Sequence, residues 1–284
     1  MIKFAKEYPM QTAIIVLAVA VIVALIVWII WSNRAVELTK KSINAKIKGL
    51  KIAHISDFHN AKFKNNNEKL LTLISNANPD IIAITGDLID SRHTNLQNSI
   101  DLVSNLVKIA PCYYVPGNHE SRMPNEYSDL KTALENRGVT ILDDEKITLE
   151  KDGKIFTLIG IRDPMFELSK DSKEKAKSVI AKKLSPLTQN DNTYKILLSH
   201  RPEAFDEYVE NNINLALTGH AHGGQAQLPF IGGLIAPNQG FFPKYSEGLH
   251  QKENTSMVIS RGLGNSLCPI RFNNRPEVIL IELT

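Results

Sequence analysis

LALTGHAHGG, residues 215–224, sets an apolar run directly against two histidines placed two apart. Leu215, Ala216 and Leu217 have the bounded, fully apolar character of a strand covered on both faces. His220 and His222 then stand among Gly219, Gly223 and Gly224. One reading is a strand end followed by a flexible turn that happens to hold histidines. The other is a metal site, because glycine beside a ligand lets backbone and ion approach closely.

The same arrangement recurs outward along the chain. KIAHIS precedes Asp57 and His59, IIAIT precedes Gly86 and Asp87, YYVP precedes Gly117, Asn118 and His119, and KILLS precedes His200. Five apolar strands thus end in potential metal ligands. In open α/β sheets ligands bind in the crevice outside the carboxyl ends of strands, so such ends converge on one place. CYYVPG, KIFTLIGI, SMVIS and PEVILIEL read as strands as well. Apolar spacing of i, i+3, i+4 predicts helices over 67–77, 95–110, 127–137 and 203–210, which suit crossovers on a largely parallel or mixed sheet. So many fully apolar strands predict two packed sheets flanked by helices, in one domain spanning 50–284.

The donor set is selective. Aspartate, asparagine and histidine without cysteine suit Mn, Fe, Zn or Co rather than a thiolate zinc knot or an all-oxygen calcium loop. Asp57, His59, Asp87, Asn118, His200, His220 and His222 are too many ligands for one ion. They fit two ions sharing a carboxylate, and a pair about 3.5–4 Å apart clamps the attacking and leaving oxygens of a displacement at phosphorus.

The ordered set DFH at 57–59, GDLID at 86–90, GNHE at 117–120, SH at 199–200 and GHAH at 219–222 resembles the motifs of calcineurin-like metallophosphoesterases. GHAHGGQ, FFPKYSEGL and a late GLGNS further resemble the membrane-associated bacterial phosphodiesterase branch of that family. The resemblance covers 50–284 and implies an α/β fold, a four-layer αββα sandwich. It implies that Asp57, His59 and His222 hold one metal, that Asn118, His200 and His220 hold the other, and that Asp87 bridges them. It implies two divalent ions, Mn first among them, and hydrolysis by a metal-bridging hydroxide. His119 would lie outside the metal shell as the catalytic acid facing the leaving group, paired with Asp90.

Other residues carry weaker signals. His54 lies inside the first strand and reads as a core histidine, while His93 and His250 read as surface residues. Arg92 and Arg122 follow two of the motifs, where each either holds a substrate phosphate through a bidentate fork or lies on the surface. The formal net charge of +3 names no nucleic-acid partner. Cys112 and Cys268 form no CxxC pair, which excludes a disulfide framework and leaves a single bridge open.

Residues 12–31, TAIIVLAVAVIVALIVWIIW, carry no charge, and twenty helical residues span roughly the 30 Å of a bilayer core. A cleaved signal peptide is the competing reading, but the run is longer than a usual h-region and no small-x-small site precedes Arg34, so the chain divides into a short tail at 1–11, a retained transmembrane anchor at 12–31, a basic linker at 32–49 and the catalytic domain. Trp28 and Trp31 suit a headgroup interface. Lys3 and Lys6 before the span, against Arg34, Lys40, Lys41, Lys46, Lys48 and Lys51 after it, favour a cytoplasmic domain on a single-pass cell-membrane protein. The lysine-rich stretch 169–183 interleaves acids and reads as a solvated face. Residues 228–243, LPFIGGLIAPNQGFFP, are apolar enough either to pack or to meet a bilayer or a lipid-like substrate. The function expected is hydrolysis of phosphodiester or pyrophosphate bonds, lipid-linked substrates included, with no protein partner. A membrane-tethered nuclease and a non-catalytic metal-binding scaffold are the alternatives.

Overall fold

The computed structural model describes residues 7–63, 67–168, 175–228, 230–265 and 270–284. The first half of the chain lays down β1 (Glu37–Ile43), β2 (Lys51–Ile55), β3 (Ile81–Thr85), β4 (Cys112–Val115), β5 (Thr140–Ile141), β6 (Glu145–Lys151) and β7 (Lys154–Gly160). The second half adds β8 (Tyr194–Leu198), β9 (Leu215–Thr218), four two-residue strands β10 (Gln227–Leu228), β11 (Gly232–Gly233), β12 (Ile235–Ala236) and β13 (Gly240–Phe241), then β14 (Gly248–Lys252), β15 (Thr255–Ile259) and β16 (Glu277–Leu283). One six-stranded sheet runs β1-β16-β2-β3-β4-β5, the other β14-β15-β9-β8-β7-β6.

Period-two alternation explains why the central strands are apolar throughout. Ile81, Ala83, Tyr113 and Val115 of the first sheet meet Leu158, Ile196, Leu198, Leu215, Leu217 and Val258 of the second in one core between the sheets. The intervening Ile82, Ile84 and Tyr114 turn the other way, onto Leu70, Leu102, Val103, Leu130 and Leu134. Those belong to helices α2 (Glu68–Ala77), α3 (Leu96–Leu106) and, after the single turn α4 (Asn118–Ser121), α5 (Pro124–Glu135). On the far side, Leu197, Ala216, Met257 and Ile259 pack on Ile180, Leu184, Phe205 and Tyr208 of α6 (Ala176–Thr188) and α7 (Phe205–Glu210). The result is helix, sheet, sheet, helix, the expected four-layer αββα sandwich. Local chemistry sets the helix starts: the Asn95 side chain accepts the Asn98 amide at 3.3 Å, and Pro124 opens α5 where no amide donor is needed.

Residues 32–49, expected as a linker, behave otherwise. β1 pairs in parallel with β16 from Glu37↔Glu277 to Ile43↔Leu283, and Ala35, Val36, Ile43, Ala45 and Ile47 are buried. ELTKKSI hid this because an edge strand is only half covered, and its lysines blunt the open edge. The predicted helix at 203–210 opens instead as a 3-10 turn, Pro202–Ala204, running into α7. Cys112 is a buried free thiol, and Cys268 lies outside the described residues. The lysine-rich stretch is described only from residue 175.

The chain's apolar N-terminal segment is α1 (Pro9–Ser32), a helix of 24 residues and therefore about 36 Å long, enough to cross a membrane. Its apolar side chains are exposed along most of its length, yet its C-terminal end is fastened to the domain. The Asn33 side chain donates from Nδ2 to the Arg271 carbonyl and accepts the Arg271 amide at Oδ1, both at 2.8 Å. Trp28 packs edge to face on Phe272, and the Arg275 guanidinium lies over the Trp31 ring at 5.1 Å.

Candidate metal centre

β2, β3 and β4 run parallel in one sheet, as do β8 and β9 in the other, so the loops after all five open on the same end of the sandwich. Backbone bonds lace those loops together: Asp57 N to Gly86 O and His59 N to Asp87 O, each at 3.0 Å. The backbone is bent hard there. Asp57, His59, Asp87, His220 and His222 all have φ between +46° and +67°, a left-handed conformation uncommon outside glycine and concentrated where function requires it. Two glycines are needed for close approach. A Cβ on Gly86, itself at φ +90°, would lie 2.8 Å from His200 Nδ1, and one on Gly219 would collide with Ser56 Oγ.

The side chains gather into three groups, Asp57 with His59 and His222, Asp87 with His200 and His220, and His59 with Asp90 and His119; within each, the candidate ligating atoms lie within 4.8 Å of one another. His59 Nε2 and His222 Nε2 face each other at 3.2 Å, as do His200 Nε2 and His220 Nδ1. Asp87 Oδ2 stands between the first two groups, 3.2 Å from His200 Nε2 and 3.6 Å from His59 Nε2. Asn118 is 3 % exposed, and its Oδ1 accepts no hydrogen bond among the described residues. An orphaned buried amide oxygen beside paired imidazole nitrogens fits a hard or borderline cation.

Electrostatics point the same way. Burial pushes His59 down to about 3 and holds His220 and His222 well below the imidazole range, leaving the neutral rings that ligate metals. Burial raises Asp57 to about 6. Burial would lower His200 too, but Asp87 and Asp57 push it up to about 10, so two sequestered carboxylates call for positive charge at this point. His200 Nδ1 is held by the Thr85 carbonyl at 2.7 Å, which turns Nε2 inward.

His119 lies beside this cluster, its Nε2 3.9 Å from Asp87 Oδ2. The expected partnership with Asp90 takes a different form. Asp90 Oδ1 comes within 3.5 Å of His119 Nδ1 but accepts the Arg92 amide at 2.8 Å, while Nδ1 accepts the Ser91 amide at 3.0 Å. Asp90 therefore closes its own loop, whose next amide sets the imidazole tautomer with the proton on Nε2. Arg92 and Arg122 are surface-exposed. His54 is fully buried against Thr85 Oγ1 at 2.8 Å, as a core histidine should be.

Four supporting residues went unread in the sequence. Glu120, fully buried, accepts the amides of Asp87 at 3.0 Å, Gly117 at 2.9 Å and Ile89 at 3.2 Å, tying the loop after β3 to that after β4. Burial pushes its carboxyl up to about 8, with Asp87 adding to the rise and the amide donors opposing it. Arg201 forms a bidentate pair with Asp163 at 2.5 and 2.9 Å and donates from Nη1 to His220 Nε2 at 3.0 Å. Arg271 is fully buried, with Nη1 on the Arg261 carbonyl at 2.7 Å and Nη2 3.4 Å from His222 Nδ1. The sequence signals were the E of GNHE and the arginine straight after His200.

The family model for calcineurin-like phosphoesterases matches residues 50–224, a span holding all seven candidate ligands. The metallophosphoesterase YkuE of Bacillus subtilis (strain 168) is 31 % identical over 261 residues, covering 87 % of this chain and 85 % of its own. The phosphodiesterase YaeI of Escherichia coli (strain K12) is 28 % identical over 242 residues, 82 % of each chain. Among solved structures, TT1561 of Thermus thermophilus superposes with a TM-score of 0.50 at 14 % identity, covering 76 % of this chain and 91 % of that one, a likeness of fold alone. Sheet-end loops, two His/Asp clusters around one aspartate and the matched sequence models lead to one conclusion: the chain belongs to the calcineurin-like phosphoesterases, metal-binding hydrolases of phosphoesters.

Proposed function

We propose that this protein is a membrane-anchored phosphodiesterase that uses two divalent ions, Mn²⁺ foremost, to hydrolyse phosphodiester or pyrophosphate bonds of lipid-linked substrates. The carrying observation is Asp87 Oδ2, within 3.6 Å of one histidine group and 3.2 Å of the other. Asp57, His59 and His222 would hold one ion and Asn118, His200 and His220 the second, with Asp87 common to both. When bound, such a pair supplies Lewis acidity at phosphorus and a water acidified enough to act as nucleophile at neutral pH. The protein does the rest. Arg201 holds the His220 ring, Thr85 holds His200, and His119 presents its Nε2 proton toward a departing alkoxide. The diester preference follows the name of YaeI.

Two features favour the membrane. α1 is long and apolar enough to span it, and Phe230, Ile231, Phe241 and Phe242 stand exposed on the β10–β11 and β12–β13 segments that follow the last metal-ligand loop. Lysine and arginine excess after the span favours a cytoplasmic domain, although Lys3 and Lys6 lie outside the described residues. Full-length protein purified in detergent with Mn²⁺ should hydrolyse bis(4-nitrophenyl) phosphate and lipid phosphodiesters. Turnover confined to oligonucleotides would move the assignment to a nuclease, and none on any ester to a scaffold. Proteolysis of sealed inverted vesicles should digest the domain if it is cytoplasmic, and protection would reverse the orientation.

A further inference from the structure

A groove of about 920 Å³ runs between the C-terminal end of α1 and the metal-ligand loops. Val27, Ile30 and Trp31 wall it from the helix, Phe63 and Leu263 from the domain, and the candidate ligand His59, its own side chain buried, contributes to the lining at the inner end. Arg34, Lys62 and Lys69 also line it, and no aspartate or glutamate does so among the described residues. From this coincidence we infer that the groove receives the apolar chain of an amphiphilic phosphoester, with the chain along α1 and the phosphate toward His59 and the three cations. The inference rests on the phosphodiesterase reading above and adds to it the site that would take the substrate's apolar chain.

The physical case is that one cleft serves two unlike demands. A water-soluble phosphoester gains nothing from Ile30 and Trp31, which are 49 % and 55 % exposed. A chain drawn from the bilayer gains burial there, and the helix that walls the groove is the one proposed to stand in that bilayer. Trp31 belongs at headgroup depth, where an ester phosphate also lies. The unbalanced positive charge suits that phosphate and holds it near the metal centre.

The test is a chain-length series. Full-length protein in phosphatidylcholine nanodiscs with Mn²⁺ would be assayed on butyl and dodecyl 4-nitrophenyl phosphate. Partition into the bilayer raises the long-chain rate for any protein there, so the readout is the dodecyl-to-butyl ratio in each variant relative to wild type. Burial of one methylene is worth about fourfold, so Ala61→Trp, at a small lining residue two before Phe63, and, on the open helix face, Ile30→Trp should each lower that ratio at least about tenfold. Photolabelling with a diazirine-tipped dodecyl phosphate reads occupancy without turnover and should mark Phe63 in wild type but not in A61W. Ratios unchanged in both variants, or no label at Phe63, would overturn the groove. If neither ester is hydrolysed, the phosphodiesterase reading fails by itself and the label alone decides the groove.

Discussion

Glu120→Gln is the substitution on which the architecture of the centre bears most directly. Above about pH 8, where this buried side chain is ionised and where the comparison is made, the wild-type carboxylate accepts three buried amides, two on Oε2 and one on Oε1. Glutamine keeps the shape but offers one acceptor oxygen, so at least one amide loses its partner and meets an NH₂ group instead. An orphaned buried donor costs about 1–3 kcal/mol, and the two surviving bonds each lose about 1 kcal/mol of charge assistance. Relief of repulsion with Asp87 offsets about 1 kcal/mol of this. The net destabilisation is then about 2–4 kcal/mol, which in a chain of this size lowers the unfolding midpoint by about 5–15 °C. Scanning fluorimetry of the full-length protein in detergent measures it, with and without Mn²⁺. Because Glu120 ties the Asp87 loop to that of Asn118, Mn²⁺ should also stabilise the variant less than wild type. A midpoint within about 2 °C of wild type, with the Mn²⁺ increment intact, would refute the idea that this carboxylate splices the two loops.

Asp87→Asn should lose bound metal and hydrolysis together, whereas His54→Gln should lower the melting midpoint and keep its metal, as elemental analysis and melting curves would read. His119→Asn should retain metal while kcat falls about 10²–10⁴-fold for an alkyl leaving group, and far less for nitrophenolate, which departs almost unaided; equal losses for both would remove His119 as the acid. Asp90→Asn should give a milder form of the same selectivity, since Asp90 acts through the loop amide on Nδ1. A chain beginning at Asn33 should fold in solution, but one beginning at Lys46 strips β1 from β16, exposes Val278 and Ile279 nearby, and should aggregate; equal solubility of the two would show the edge strand dispensable.

The site was legible because its parts obey local rules. A fully apolar strand ending at a candidate ligand is visible five times over, three of them with a glycine immediately before it, and two-sided burial is what makes those strands apolar. Edge strands broke the reading: ELTKKSI and EKITLEK are half exposed, and only their pairing with β16 and β7 identifies them. Side-chain direction was equally hidden. Arg92 and Arg122 follow conspicuous motifs and are exposed, while Arg201 and Arg271 are buried against the histidines because loops distant in sequence meet there. Glu120 stood in plain view within GNHE, but its work is to accept amides from a neighbouring loop, which no spacing within its own motif reveals.

The pairing of Asn33 with the Arg271 backbone changes what kind of attachment α1 provides. A domain on a slack leash samples a hemisphere above its membrane and meets substrate from any direction. Here the last turn of the helix is bolted to the residue whose guanidinium braces His222, and β1 begins four residues after Asn33. On the membrane-anchored reading proposed above, height over the bilayer and tilt are thereby fixed together. An enzyme so anchored would search in two dimensions, and its catalytic rate should respond to bilayer thickness, because any tilt of α1 would pass through one asparagine to the candidate ligand His222.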